Sequence, residues 1–217
     1  MLLKVVVVVP HSQSKPITCW HCSKITLQGV FCEHCQTILD YPTNYSPSHF
    51  EVLGIPESLL FDENLLRSRF YELSKRLHPD RFATSPSPAP QYALRWTTAL
   101  NRAYQTLRSK EERTSYLIEK YLGPNLKASQ SSVPTDLAEA YFEVQDLLSE
   151  GELAPIVSFQ KELESKLTES QKHWEVLAKT FEDSTDKKTA AKALQTHEIR
   201  EKYLRSMLSD IERRVNP

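Results

Sequence analysis

The sequence predicts a mainly α-helical protein with a small four-cysteine module near its amino terminus and a three-helix bundle at its carboxyl end. Three observations carry this expectation. Apolar residues recur at helical spacing over several stretches, as in Leu66, Phe70, Leu73 and Leu77. Thirteen prolines against four glycines in 217 residues suit helices with stiff junctions better than a sheet protein rich in tight turns. All four cysteines fall into two close pairs, Cys19 with Cys22 and Cys32 with Cys35. The length allows one large or two small domains plus a minor module. A formal net charge of −1 gives no global attraction to nucleic acid or to acidic substrates. Electrostatic recognition must therefore come from local patches.

Met1 to Val9 is an apolar run interrupted by Lys4, too short to span a bilayer and without a small-residue cleavage site. Residues 1–16 read as a leader of unknown order or a brief strand, and no other stretch is long enough to cross a membrane. A soluble bacterial cytoplasmic protein is expected, with the mitochondrial matrix as the alternative.

Residues 17–44 hold Cys19-Trp20-His21-Cys22 and Cys32-Glu33-His34-Cys35. Two Cys-x-x-Cys pairs in one hairpin-sized stretch form the ligand set of a tetrahedral zinc site, because the two-residue gap turns both thiolates of a pair towards one ion. Gln28-Gly29-Val30 supplies a turn between them. A module this small rarely folds without a staple or a metal, so structural zinc is expected to define it. Disulfides would suit an exported protein, and a thioredoxin-type pair needs a βαβ setting that is absent. An iron–sulfur cluster on four thiolates is the remaining alternative. His21 and His34 read as solvated or supporting groups. The same stretch, from Ile17 to Asp40, carries Lys24 as its one cation against Glu33 and Asp40, which argues against a phosphate-binding surface.

The next helix runs from Glu63 to Leu77, with Asp62 as its N-cap. Pro79 disfavours helical geometry at His78, so the helix ends there. At ~100° per residue, Arg69, Glu72, Lys75 and Arg76 gather on a mostly cationic side next to the apolar stripe. His78-Pro79-Asp80 therefore sits, ordered, at the tip of a basic helix. Trp96, Leu100, Ala103 and Leu107 mark another helix over about 90–109, after a proline-rich spacer over 84–90.

That setting resembles the J-domain, the co-chaperone module that stimulates ATP hydrolysis by DnaK-type chaperones. Ser48-His49-Phe50-Glu51-Val52-Leu53-Gly54-Ile55 is similar to its opening helix and turn. Asn101-Arg102-Ala103-Tyr104-Gln105-Thr106-Leu107 is similar to the run on its third helix, and Arg113-x-x-Tyr116-Leu117 to its fourth, over 110–122. The resemblance implies a four-helix J-domain over residues 46–122. It also implies that His78, Pro79, Asp80, Arg69, Lys75 and Arg76 contact the ATPase. Arg67 reads as a solvated cation, and Arg81 and Phe82 as shaping the loop.

Residues 123–134, small, polar and bounded by proline, read as a linker. Over 135–217 come three helical stretches. Thr135 or Asp136 caps the first, which is expected to stop at Gly151 and Pro155. Phe159, Leu163, Leu167, Trp174, Leu177 and Phe181 mark the second, with a gap in the stripe at Ser170. Leu194, Leu204, Leu208, Ile211 and Val215 mark the third, flanked by Tyr203 and Met207. Short connections imply a compact bundle. Trp96 and Trp174 lie on apolar stripes and are expected in the core.

A J-domain followed by such a bundle resembles the HscB-type co-chaperones of iron–sulfur cluster biogenesis, of the subset with an amino-terminal tetracysteine zinc module. The likeness extends to Trp20 and Phe31 beside the cysteines. It implies two partners: an IscU-type scaffold protein held by the bundle, and a DnaK/HscA-type ATPase that the J-domain stimulates. It also implies scaffold contacts at Phe142, Glu143, Asp146, Glu150 and Tyr203. The family's Leu-Met pair is missing, with Ala138 and Glu139 nearest to its place. A general protein-folding J-protein would carry a glycine-rich linker and a β-sheet substrate region, which this sequence lacks, although a different client remains the alternative. No constellation supports an enzyme, and no nucleic-acid or membrane partner is expected.

Overall fold

The computed structural model describes residues 16–27, 29–42, 46–124, 135–150 and 153–215. The leader over 1–15, most of the linker and Gly151 lie outside them, as do the side chains of Asp136, Leu137, Glu150, Leu153, Arg214 and Val215. The chain forms two compact units that divide between Arg113 and Thr114. Among the described residues, no helix is long and apolar enough to cross a membrane.

The first unit opens with two short antiparallel strands, β1 (Pro16–Thr18) and β2 (Ile25–Leu27), in the register Ile17 opposite Thr26. Between them the backbone makes a tight knuckle: the Cys19 N–H donates to the Lys24 carbonyl, and the Ser23 N–H to the Cys19 carbonyl. The same pattern repeats after Phe31 pairs with Ile38. There the Cys32 N–H donates to Thr37 and the Gln36 N–H to Cys32. In each knuckle the residue four after the first cysteine takes a positive φ, 58° at Ser23 and 59° at Gln36, which bends the chain back on itself.

Helix α1 (His49–Leu53) starts with a capping box between Ser48 and Glu51 and ends at Gly54, whose φ of 64° is the left-handed conformation glycine adopts without a Cβ penalty. Helix α2 (Glu63–Leu77) starts where expected, with the Asp62 carboxylate accepting from the Asn64 N–H at 2.8 Å. Its stripe behaves as the spacing implies: Leu66, Leu73 and Leu77 are buried, and Phe70 stacks on Tyr104 at 4.0 Å. Helix α3 (Ala89–Arg108) supplies the opposing face through Ala93, Trp96, Leu100, Ala103 and Leu107, all buried. The Thr97 hydroxyl donates to the Leu77 carbonyl at 3.0 Å, fastening the last turn of α2 to α3.

The four-cysteine module packs on the same helices. The Trp96 indole N–H donates to the Leu39 carbonyl at 2.9 Å, and the Trp20 indole donates within the module to Ile38 at 2.8 Å. Tyr41 meets the Trp96 ring edge-on, Trp20 meets Tyr92, and Arg95 pairs with Asp40 at 2.7 Å.

Helix α4 (Lys110–Leu122) contains the division between the units. On its first-unit side the Arg113 guanidinium is buried, donates to the Leu107 carbonyl at 2.6 Å and lies over the Phe61 ring. Burial lowers its pKa from the ordinary arginine value, an effect opposed by Glu63 and Glu111. From Thr114 onward the helix belongs to the second unit, where Thr114 accepts from the Trp174 indole and Tyr121 packs edge-on against Phe181.

The second unit also contains α5 (Thr135–Glu150), α6 (Leu153–Asp183) and α7 (Lys187–Val215). Pro155, read as a stop signal, lies in the first turn of α6, where a missing N–H breaks no helical bond. The core joins Val144 of α5, Ile156, Phe159 and Leu163 of α6, and Leu204, Met207, Leu208 and Ile211 of α7. Trp96 and Trp174 are both buried, as their stripes imply. The gap at Ser170 has a structural reason. Buried His197 of α7 places Nε2 2.8 Å from the Ser170 carbonyl and 2.9 Å from its hydroxyl. Because a carbonyl only accepts, Nε2 carries the proton.

Leu163 is fully buried in this core. Leu163→Ala is expected to cost about 2–5 kcal/mol in the second unit, read as an earlier urea transition of its helices by far-ultraviolet circular dichroism.

Candidate functional site

His78 leaves the helix at φ −53°, ψ 126°, as the following proline requires. The sequence alone did not reveal the next step, a turn of 3-10 helix over Pro79–Phe82 that His78 itself caps. Its Nδ1 accepts from the Asp80 N–H at 3.3 Å, and its carbonyl accepts from the Arg81 N–H at 3.0 Å. With Nδ1 accepting, the neutral ring carries its proton on Nε2. The Asp80 carboxylate stands 3.5 Å from Nδ1, and the two side chains are 56% and 90% exposed. The tripeptide therefore presents an imidazole and a carboxylate to solvent from an ordered backbone turn.

Arg69, Lys75 and Arg76 of α2 do not share one environment. Lys75 is exposed. Arg69 pairs with Glu72 at 3.2 Å, and the Arg76 guanidinium lies 4.4 Å over the Phe31 ring of the cysteine module. At ~100° per residue, Arg67 and Tyr71 lie on the His78 side of the helix, whereas Arg69 and Arg76 lie across from it. Tyr71 is 58% exposed. Sequence reasoning passed over it, although its spacing of seven residues from His78 places it on that line.

The four cysteines converge. Cys19 and Cys35 sulfurs lie 3.7 Å apart, Cys22 and Cys32 sulfurs 3.8 Å apart, and all four lie within 4.8 Å of one another. These separations exclude disulfides, whose sulfurs approach to about 2.05 Å. They match the edges of a tetrahedron with metal–sulfur bonds of about 2.3 Å, which are ~3.8 Å long. The residues thus fit one tetrahedral ion. The thiols also act on each other. The Lys24 amide favours ionisation of Cys22, but desolvation and the three neighbouring thiols outweigh it and push this group up to about 11. Desolvation opposes ionisation of Cys35, yet hydrogen bonds from the Thr37 hydroxyl and amide, together with Cys22 and His21, bring it down to about 5. A divalent cation is what lets all four be thiolates at once. His21 and His34 are exposed, and His34 Nε2 lies 2.9 Å from the Ile25 carbonyl.

On the second unit, Phe142 is 68% exposed on α5, opposite buried Val144, with Glu143 and Asp146 exposed beside it. Tyr203 is different: it is half-buried and packs against the bundle core. Helix α5 ends at Glu150, whose side chain lies outside the described residues.

Residues 48–116 match the DnaJ domain family, so the helical hairpin with its exposed His-Pro-Asp corner defines a J-domain protein. A Vibrio cholerae co-chaperone protein HscB homolog is 30% identical over 168 residues, covering 76% of this chain and 95% of that protein. A homolog from Aliivibrio salmonicida is 33% identical over 107 residues. This chain spans 62% of that protein and 50% of an Aliivibrio fischeri homolog. The crystal structure of human co-chaperone protein HscB aligns with a TM-score of 0.65 at 21% identity, over 93% of this chain and 100% of that one. The chaperone HscB from Vibrio cholerae aligns at 0.51 and 23% identity, over 77% of this chain and 96% of that one. The chain belongs to the HscB co-chaperone family.

Because the module's core is built around the cysteines and Leu39, removing a bound metal with a strong chelator is expected to unfold residues 16–42 and leave α5–α7 helical. Tryptophan fluorescence would report the first change and circular dichroism the second. Protons compete with metal for thiolates, so the affinity measured with a chromogenic chelator should fall as pH falls.

Proposed function

We propose that this chain is a co-chaperone of iron–sulfur cluster biogenesis. Its C-terminal bundle, over 135–217, holds an IscU-type scaffold protein. Its J-domain, over 46–122, presents that scaffold to a DnaK/HscA-type ATPase and stimulates ATP hydrolysis, and the change in the ATPase promotes cluster transfer. The single observation behind this reading is the His78-Pro79-Asp80 corner, capped on itself and solvent-facing, in a chain of the HscB family. His78 and Asp80 offer a donor and a carboxylate to polar groups of the ATPase. Exposed Lys75 attracts an acidic surface, which speeds and orients encounter. The ATP chemistry belongs to the partner, and the role of this chain is recognition. Zinc is the proposed occupant of Cys19, Cys22, Cys32 and Cys35, with a structural role. The bacterial cytoplasm is the proposed location.

Phe142 is the proposed anchor for the scaffold, as an exposed aromatic flanked by Glu143 and Asp146. One observation favours a second reading, a different client for the bundle: Ala138 and Glu139 stand nearest to where the family's apolar pair is expected.

The deciding experiment is the steady-state ATPase rate of the cognate DnaK-type chaperone with this protein, with and without the iron–sulfur scaffold. Synergistic stimulation is expected, and stimulation indifferent to the scaffold would transfer the bundle to another client. His78→Gln should abolish stimulation while leaving scaffold affinity intact; survival of stimulation would overturn the mechanism. Phe142→Ala should weaken scaffold binding by about 1–2 kcal/mol, roughly 5- to 30-fold, as measured by calorimetry.

A further inference from the structure

Leu39 serves two structures at once. Its side chain lies in the core of the cysteine module with Cys19 and Cys32, and its N–H donates to the Val30 carbonyl at 2.9 Å. Its carbonyl accepts from the Trp96 indole of α3. The next two residues follow it onto the same helix: Asp40 pairs with Arg95, and the Tyr41 ring meets Trp96 edge-on at 4.9 Å. From the first knuckle, Trp20 meets Tyr92 at 6.4 Å. Tyr92 precedes Arg95 and Trp96 by three and four residues, which puts all three on one side of α3. The module occupies that side.

Neither partner in this contact is self-sufficient. Against Cys19, Cys32 and Leu39 pack Ile17, Trp20, Cys22 and Cys35, so four of these seven side chains are the cysteines themselves. Little apolar area is left to hold the module together without the ion that the cysteines fit. On the helical side, Trp96 is 2% exposed, and the acceptor for its one donor is Leu39. Stripping a buried donor of its acceptor multiplies an unfolding constant by roughly 5 to 150. Thr97, the following residue, donates to the Leu77 carbonyl, so a loosening of α3 at Trp96 reaches the last turn of α2.

We infer that a metal ion at the four cysteines stabilises α2 and α3 of the J-domain as well as the module itself, and that Trp96 is the residue coupling the two. Metal binding folds the module. The folded module gives Trp96 its acceptor and Arg95 its carboxylate, and α3 then holds Leu77 through Thr97. The module is a metal-dependent brace of the helical hairpin. Coupling of this kind is reciprocal, so an intact α3 must tighten metal binding by the factor by which metal tightens α3. No partner protein takes part, which makes the coupling independent of the co-chaperone reading.

Hydrogen–deuterium exchange of the full-length protein, loaded with zinc or stripped by a strong chelator, tests the coupling. Stripping should unfold residues 16–42 and also speed exchange in α2 and α3 by about fivefold or more, while α6 and α7 stay unchanged. Faster exchange confined to residues 16–42 would overturn the proposal. So would equal acceleration in every helix, or no acceleration anywhere.

Trp96→Phe keeps an aromatic ring and removes the indole N–H. Its zinc affinity, measured by competition with a chromogenic chelator, should fall roughly 2- to 12-fold, and the gap between loaded and stripped exchange in α3 should shrink. Leu94→Ala, at an exposed position of the same helix, is the control and should change neither quantity. Wild-type affinity in a folded Trp96→Phe, or an equal loss in Leu94→Ala, would overturn the role given to Trp96. If Trp96→Phe does not fold, the comparison of loaded and stripped wild-type protein decides alone.

Discussion

Trp96 is the residue on which the first unit depends. It sits in the buried stripe of α3, and its indole N–H reaches the Leu39 carbonyl of the cysteine module. A buried indole needs a partner for its one donor, and that need is met only by the module. The bond is reinforced by Tyr41 against the same ring and by Arg95 on Asp40 one helical position away. A single side chain thus joins a metal-site fold, which lacks the apolar area to stand alone, to a helical hairpin that supplies that area.

The helical hairpin has its own division of labour. Leu66, Leu73 and Leu77 are committed to α3 and cannot take part in recognition, and the last of them has its carbonyl fastened by Thr97. That leaves the chain to turn out of the helix at His78 with its geometry already decided. The 3-10 turn that follows satisfies the local backbone through His78 itself, so the backbone that carries the exposed imidazole and carboxylate is ordered. Order at an exposed corner is what a recognition surface needs, since ordering it at the moment of binding would cost affinity. The second unit applies a different solution. Its long α6 and α7 pack with Leu163, Met207 and Ile211 on one stretch and interrupt the apolar seam with Ser170 and His197, a polar pair that fixes how the two helices align.

Much of this was legible in the sequence because it is local. Helix periods, the Asp62 cap, the end of α2 before Pro79 and the grouping of the four cysteines depend on residues within a few positions of one another. Pro155 was misread for the same reason. Its local signal says only that an N–H is missing, which a first helical turn and a helix end tolerate alike. Ser170 appeared as a blemish in the stripe because its partner, His197, lies 27 residues away. Phe142 and Tyr203 looked equivalent as aromatics on amphipathic helices, and only packing separates them, one facing solvent and the other half-buried against the core.

By itself, then, the sequence determined a helical chain, a four-cysteine knuckle pair, and a histidine–proline–aspartate corner at the tip of a basic helix. Tertiary structure decided the surroundings of Arg76, which meets a phenylalanine 45 positions earlier, whereas Arg69 pairs with Glu72 within the helix and Lys75 is left exposed. The physical reason is that helical periodicity fixes the direction of a side chain about its own axis but not what another element brings to meet it. The docking of the cysteine module, through Trp96 and Phe31, settles that.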